Sequence, residues 1–126
     1  MSALEEIERA GYVSLTSYRK DGTPVATPVW HAVHGGEVFI ISVADAWKVK
    51  RIRNNARVEL TPCNVRGTLK PGATPAAGTA RLLDEAETEQ ARRYIAGKYF
   101  LSRAGNFFTR VLRLKRPPVI GIAVAI

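Results

Sequence analysis

Apolar and polar positions along this chain change period several times, and each change marks a predicted element. In YVSLTSY (Tyr12 to Tyr18), Val13 and Leu15 alternate with hydroxyls at the two-residue period of a strand. The following RKDGTP carries Asp21-Gly22, a hairpin signal. PVATPVWHAV then reads as one longer strand, and its internal Pro28 predicts an edge, a bulge or backbone turned to something other than a partner strand. After a turn at HGGE, the run EVFIISV is apolar enough for a strand buried on both faces.

The period then becomes helical. DAWKVKRIRNN predicts a short helix with Asp45 as N-cap and with Trp47, Ile52 and Val49 as its apolar contacts. An earlier helix is expected over 3–10, with Leu4 and Ile7 on one face and Gly11 as C-cap. ARVEL and TARLL read as strands on either side of a Gly- and Pro-rich loop. DEAETEQARRYIAGKYF predicts a long helix with a capping box of Asp84 and Glu87. A second amphipathic stretch spans 107–114, and VIGIAVAI closes the chain as a strand. The order predicts a single domain over 1–126, mainly β with flanking helices, as a six-stranded antiparallel barrel.

Composition narrows the classes. No run reaches the ~20 apolar residues of a membrane span. The acidic opening MSALEEIERAG lacks the apolar segment of a secretory signal, so cytoplasm is the expected compartment. A single cysteine, Cys63, excludes an intrachain disulfide framework and a cysteine-rich zinc site. The net charge of +8 favours anionic partners without choosing among them. No acid follows Glu89, whereas eight cations do, from Arg92 to Arg116.

Few residues suggest catalysis by side chains. Ser14, Ser17, Ser42, His31, His34 and Asp45 lie in no nucleophile elbow, and they read as strand hydroxyls and two surface histidines. The two histidines, three apart on a strand or turn, point to opposite faces and make no metal site. There is no phosphate-binding glycine loop. Scattered aromatics and no basic tail argue against a specific nucleic-acid partner.

The stretch SVADAWKVKRIRNNARVEL is the sharpest feature, with cations at Lys48, Lys50, Arg51, Arg53 and Arg57. In a helix, Lys48, Arg51 and Asn55 share a face. Ser42 stands where the preceding strand ends. A strand-end hydroxyl, free helix amides and two cations can bind a phosphate. A solvated helix face explains the same charges.

In order and spacing these segments resemble the split-barrel flavin- and deazaflavin-binding proteins, the superfamily of pyridoxamine phosphate oxidase. Within it the likeness is greatest to enzymes that use coenzyme F420. YVSLTSYRKDGTPVATPVWHAV looks like the first hairpin, EVFIISVADAWKVKRIRNNARVELTPCNVRG like the strand, phosphate helix and next strand, and AAGTARLL like the strand before the long helix. The resemblance implies an FMN-binding type of split barrel. It also implies cofactor contacts at Thr27, Pro28, Val29, Trp30 and Ile41, with phosphate contacts at Ser42 and Lys48. Arg51 joins them by sharing the Lys48 face. Trp47 stands where the oxidases carry arginine, and Asn55-Ala56 replaces their Asn-Pro.

Both departures favour a deazaflavin reductase over a vitamin-forming oxidase. The implied activity is hydride transfer from reduced F420 to an unsaturated or quinone-like organic acceptor, in a homodimer with the cofactor at the interface. FMN as the cofactor, or a non-catalytic binder of a cofactor, haem or tetrapyrrole, are the alternatives. The segment from Lys98 to Arg116 is open to three readings: a helix covering the barrel, a lid, or a basic face for a membrane surface. Its Phe107, Phe108, Val111, Leu112 and Leu114 read as core packing.

Overall fold

The structure, a computed structural model, describes residues 2–99 and 118–126. The amphipathic stretch expected at 107–114, and most of the basic segment ending at Arg116, lie outside the described residues. The elements run in the order α1 (Ala3–Arg9), β1 (Tyr12–Tyr18), β2 (Pro24–Val29), β3 (Ala32–His34), β4 (Glu37–Val43), α2 (Trp47–Asn54), β5 (Arg57–Cys63), β6 (Ala76–Leu82), α3 (Glu85–Tyr99) and β7 (Val119–Ala125).

The mainly β class with flanking helices holds, but the described residues form seven strands rather than six. The run expected as one strand over 24–33 is cut at Trp30 and His31 into β2 and β3. The sheet order β2-β1-β5-β6-β7-β4-β3 explains the cut. β2 and β3 are consecutive in the chain but lie at opposite ends of the sheet. Val29 and Ala32 are three peptide units apart and can stand at most ~11 Å from each other, so the sheet curls until its two edges meet at that link. Every neighbouring pair is antiparallel. Pro28, opposite Ser14 on the edge strand β2, deprives no second neighbour of a hydrogen bond.

Inward-facing Val13, Leu15, Ile40, Leu60, Ile122 and Val124 fill the barrel and are fully or almost fully buried. Ile7 of α1 and Ile52 of α2 join the same core. On the outside, α3 lays Ala91 against Phe39, Leu83 and Ala123. Gly121 permits that approach, since a Cβ there would come 2.7 Å from Leu83 Cδ1 and 3.3 Å from Thr88 Cα. The Gly121 amide donates to Thr88 Oγ1 at 2.9 Å. The capping box forms as expected: Glu87 N–H donates to Asp84 at 2.8 Å, and Asp84 N–H to the Glu87 carboxylate at 3.4 Å.

Three local expectations need correction. Ala46, not Asp45, is the N-cap of α2, and no side chain caps its first amides. Ala10 is the C-cap of α1 in extended backbone, so Gly11 supplies no left-handed cap. His31 is buried, not a surface residue. Among the described residues, no helix is long and apolar enough to cross a membrane.

Candidate functional site

The start of α2 fixes where its side chains point. Val49 and Ile52 are buried and define the inner face. At about 100° per residue, Lys48 stands about 40° from Ile52, whereas Arg51 stands about 100° away and Trp47 about 140°. Lys48 therefore leans towards the barrel. Trp47 turns outward and is 72% exposed, against the expectation that it packs as an apolar contact of the helix.

Beside this helix, at the link between β2 and β3, lies a cavity of about 330 Å³ lined by Tyr12, Pro28, Val29, Trp30, Ile41, Lys48, Val65 and Ile95. Its volume is in the range of small-molecule sites. Five residues singled out in the sequence meet here: Pro28, Val29, Trp30, Ile41 and Lys48. They come from the β2 edge, the link that follows it, β4 and α2. Tyr12 and Trp30 face one another with ring centroids 6.2 Å apart.

Lys48 supplies the charge. Burial and the neighbouring Arg51 both push its pKa down. No carboxylate lies within ion-pair distance of it among the described residues. A partly desolvated ammonium without a counter-ion is costly alone and favourable beside an anion. Apolar and aromatic walls with one such cation suit a planar ligand that carries an acidic group.

The other candidates sit apart from this cavity. The Ser42 hydroxyl donates to its neighbour Val43 O at 3.1 Å and does not line the cavity. Thr27 does not line it either, and its Oγ1 is buried with no partner among the described residues. Arg51 donates through Nε to Ser17 Oγ at 2.7 Å and opens, with Trp47, onto a different cavity. Lys48 and Arg51 are therefore neighbours on adjoining flanks of α2 and do not line one cavity. Asn55 leaves their face altogether, because its side chain accepts the Arg57 N–H at 3.1 Å.

Sequence reasoning missed Tyr12, Val65 and Ile95. They come from a strand start, a loop and the far side of α3, and only the closing of the sheet gathers them. It also missed a buried polar contact next to Trp30. His31 Nε2 lies against the Ile7 carbonyl and 3.0 Å from Lys98 Nζ, which also donates to Ala10 O at 2.9 Å. Burial chiefly, and then the Lys98 charge, lower the His31 pKa to about 4. Burial lowers Lys98 to about 8. Among the described residues no cluster of His, Cys, Asp and Glu that would hold a metal forms.

Residues 2–116 match the sequence model of the family described as pyridoxamine 5'-phosphate oxidase. No curated protein matches the chain significantly. Among solved structures, a Listeria innocua protein assigned provisionally to the pyridoxamine 5'-phosphate oxidases is 22% identical, with a TM-score of 0.66 over 97% of this chain and 88% of that one. A protein named as an F420 reductase is 19% identical, with a TM-score of 0.66 over 96% of this chain and 90% of that one. An FAD-binding protein from Mesorhizobium loti is 17% identical, with a TM-score of 0.69 over 100% of this chain and 88% of that one.

Proposed function

The chain belongs to the pyridoxamine 5'-phosphate oxidase family, and from that premise we propose that it is a reductase that uses coenzyme F420. Its acceptor is an unsaturated or quinone-like organic molecule. The observation that carries this reading is the half-buried Lys48, without an ion-pair partner among the described residues, in a cavity walled by Pro28, Val29, Trp30 and Ile41. That donor set fits a flat ring with an acidic substituent. When bound, the deazaflavin supplies the hydride, and the chain supplies binding, orientation and exclusion of water.

The named residues divide this work. Lys48 holds the phosphate. The edge strand β2 offers backbone at Pro28 and Val29 to the ring, and Trp30 and Ile41 form its apolar walls. Val65 is 61% exposed at the cavity rim, where a second copy of the chain in a homodimer would cover it. Trp47 adds no positive charge at the helix start, which favours the deazaflavin over FMN.

The test is a titration of purified protein with F420 and with FMN, read by calorimetry. F420 is expected to bind at micromolar concentration and more tightly than FMN. Preference for FMN transfers the reading to an FMN-dependent oxidoreductase of the same fold. Binding of neither overturns both.

A further inference from the structure

The outer flank of α2 faces a second cavity, of about 460 Å³, lined by Tyr18, Arg19, Lys20, Trp47, Lys50, Arg51 and Asn54. Four of the seven are cations and none is an acid. None of the four forms an ion pair among the described residues, although Asp21 lies within electrostatic reach of Arg19. Arg19 and Arg51 repel each other. Like charges gathered this closely destabilise the empty fold, and a bound anion relieves them. The Ser17 bond at Nε holds the Arg51 guanidinium in place and leaves its terminal nitrogens as donors without a partner among the described residues.

Charge alone does not account for Trp47. It is the most exposed large apolar side chain among the described residues. Lys50 Nζ lies over its ring, 4.3 Å from the centroid, and covers one face. The other face is open to a stacking partner. An indole platform ringed by cations matches a ligand that carries both an aromatic plane and phosphates. Inorganic phosphate would leave the indole unused. A nucleic-acid strand needs a run of successive platforms, and among the described residues this cavity offers two rings, Tyr18 and Trp47, the first with the Arg57 guanidinium 5.9 Å away.

We propose that this second cavity binds a nucleoside phosphate, with the base stacked on Trp47 and the phosphates held by Arg51, Lys50, Arg19 and Lys20. Two sources share that chemistry. One is a free nucleotide. The other is the nucleotide end of a dinucleotide whose ring occupies the first cavity, since Lys48 and Arg51 lie one helical turn apart between the two. The assignment stands without the F420 reading, because no residue lines both cavities.

The full chain is titrated with ADP, pyrophosphate, FMN and FAD, read by calorimetry and tryptophan fluorescence. ADP is expected to bind about tenfold more tightly than pyrophosphate and to quench fluorescence, as one stacked base predicts. Trp47→Ala should remove that preference, and Trp47→Phe should keep most of it. Lys50→Ala, a surface change that leaves the fold intact, should weaken ADP and pyrophosphate alike. A Trp47-dependent preference for FAD over FMN identifies the dinucleotide as the source, and equal binding of the two identifies the free nucleotide. Absence of ADP binding, equal affinity for ADP and pyrophosphate, or ADP binding unchanged in Trp47→Ala overturns the proposal.

Discussion

The two cavities share one helix and are built in opposite ways. The inner one takes residues from as far apart as Tyr12 and Ile95, and its one lysine is partly desolvated. The outer one is made from two short stretches, Tyr18 to Lys20 and Trp47 to Asn54. It lies at the surface and carries four cations. Lys48 and Arg51 are three residues apart, yet each meets a different solvent environment. The outer cavity needs only α2 seated beside the end of β1, a contact pinned by the Arg51–Ser17 bond, whereas the inner one needs the finished barrel. Perturbing the barrel should therefore separate them.

The largest effect is expected from Lys48→Ala. Loss of a charged hydrogen bond should weaken binding of the ring cofactor by about 1.5–3 kcal/mol. Affinity of the outer cavity for ADP should change much less, because Lys48 does not line it and reaches it only through its electrostatic coupling to Arg51. Calorimetry on both ligands checks this, and equal losses would erase the distinction between the two cavities.

Gly121→Val attacks the inner cavity from behind. Its Cβ would already crowd Leu83 and Thr88, and the two added methyls press α3 away from β7. Overpacking of this kind costs about 1–3 kcal/mol. Urea unfolding should show the loss, and cofactor binding should weaken because Ile95 rides on α3. ADP binding to the folded protein should persist.

The smallest effect concerns pH. His31 is a base whose pKa is about 4 in the fold, against an ordinary 6.5. Between those values the unfolded chain binds more protons than the native one, so stability rises with pH. The contribution is complete above pH 6.5 and is lost as pH falls towards 4. The urea midpoint should fall as the pH is lowered through that window, and more gently in His31→Gln. An identical slope in the variant would remove His31 as the cause.

Much of the fold could be read locally. β1 and β4 were visible because alternation and β-branched residues agree within seven residues. α3 was visible because acids, capping box and terminal cations all agree. The break between β2 and β3 was hidden, because nothing near Trp30 shows that the following residues cross to the far edge of the sheet. The outward turn of Trp47 was hidden for a smaller reason. Once Ala46 is the cap, Val49 and Ile52 hold the inner face and leave Trp47 no place on it. Five of the nine residues named for the site line the inner cavity; four of them lie on three elements with recognisable patterns, and Trp30 lies in the link between β2 and β3. The unforeseen Tyr12, Val65 and Ile95 come to the cavity through pairing and packing over long sequence separations.

The link of Trp30 and His31 gives the barrel a mechanical property. A seam closed by a ladder of hydrogen bonds can slip by two residues and still satisfy its amides. A seam closed by covalent backbone cannot, because its reach is set by three peptide units. The shear of this sheet is therefore locked at one point, while the edges on either side of that point can part slightly without breaking a ladder bond. The inner cavity sits at this fixed but partly open joint. Whatever enters there meets walls whose register is set by the covalent chain rather than by a ladder that can slip.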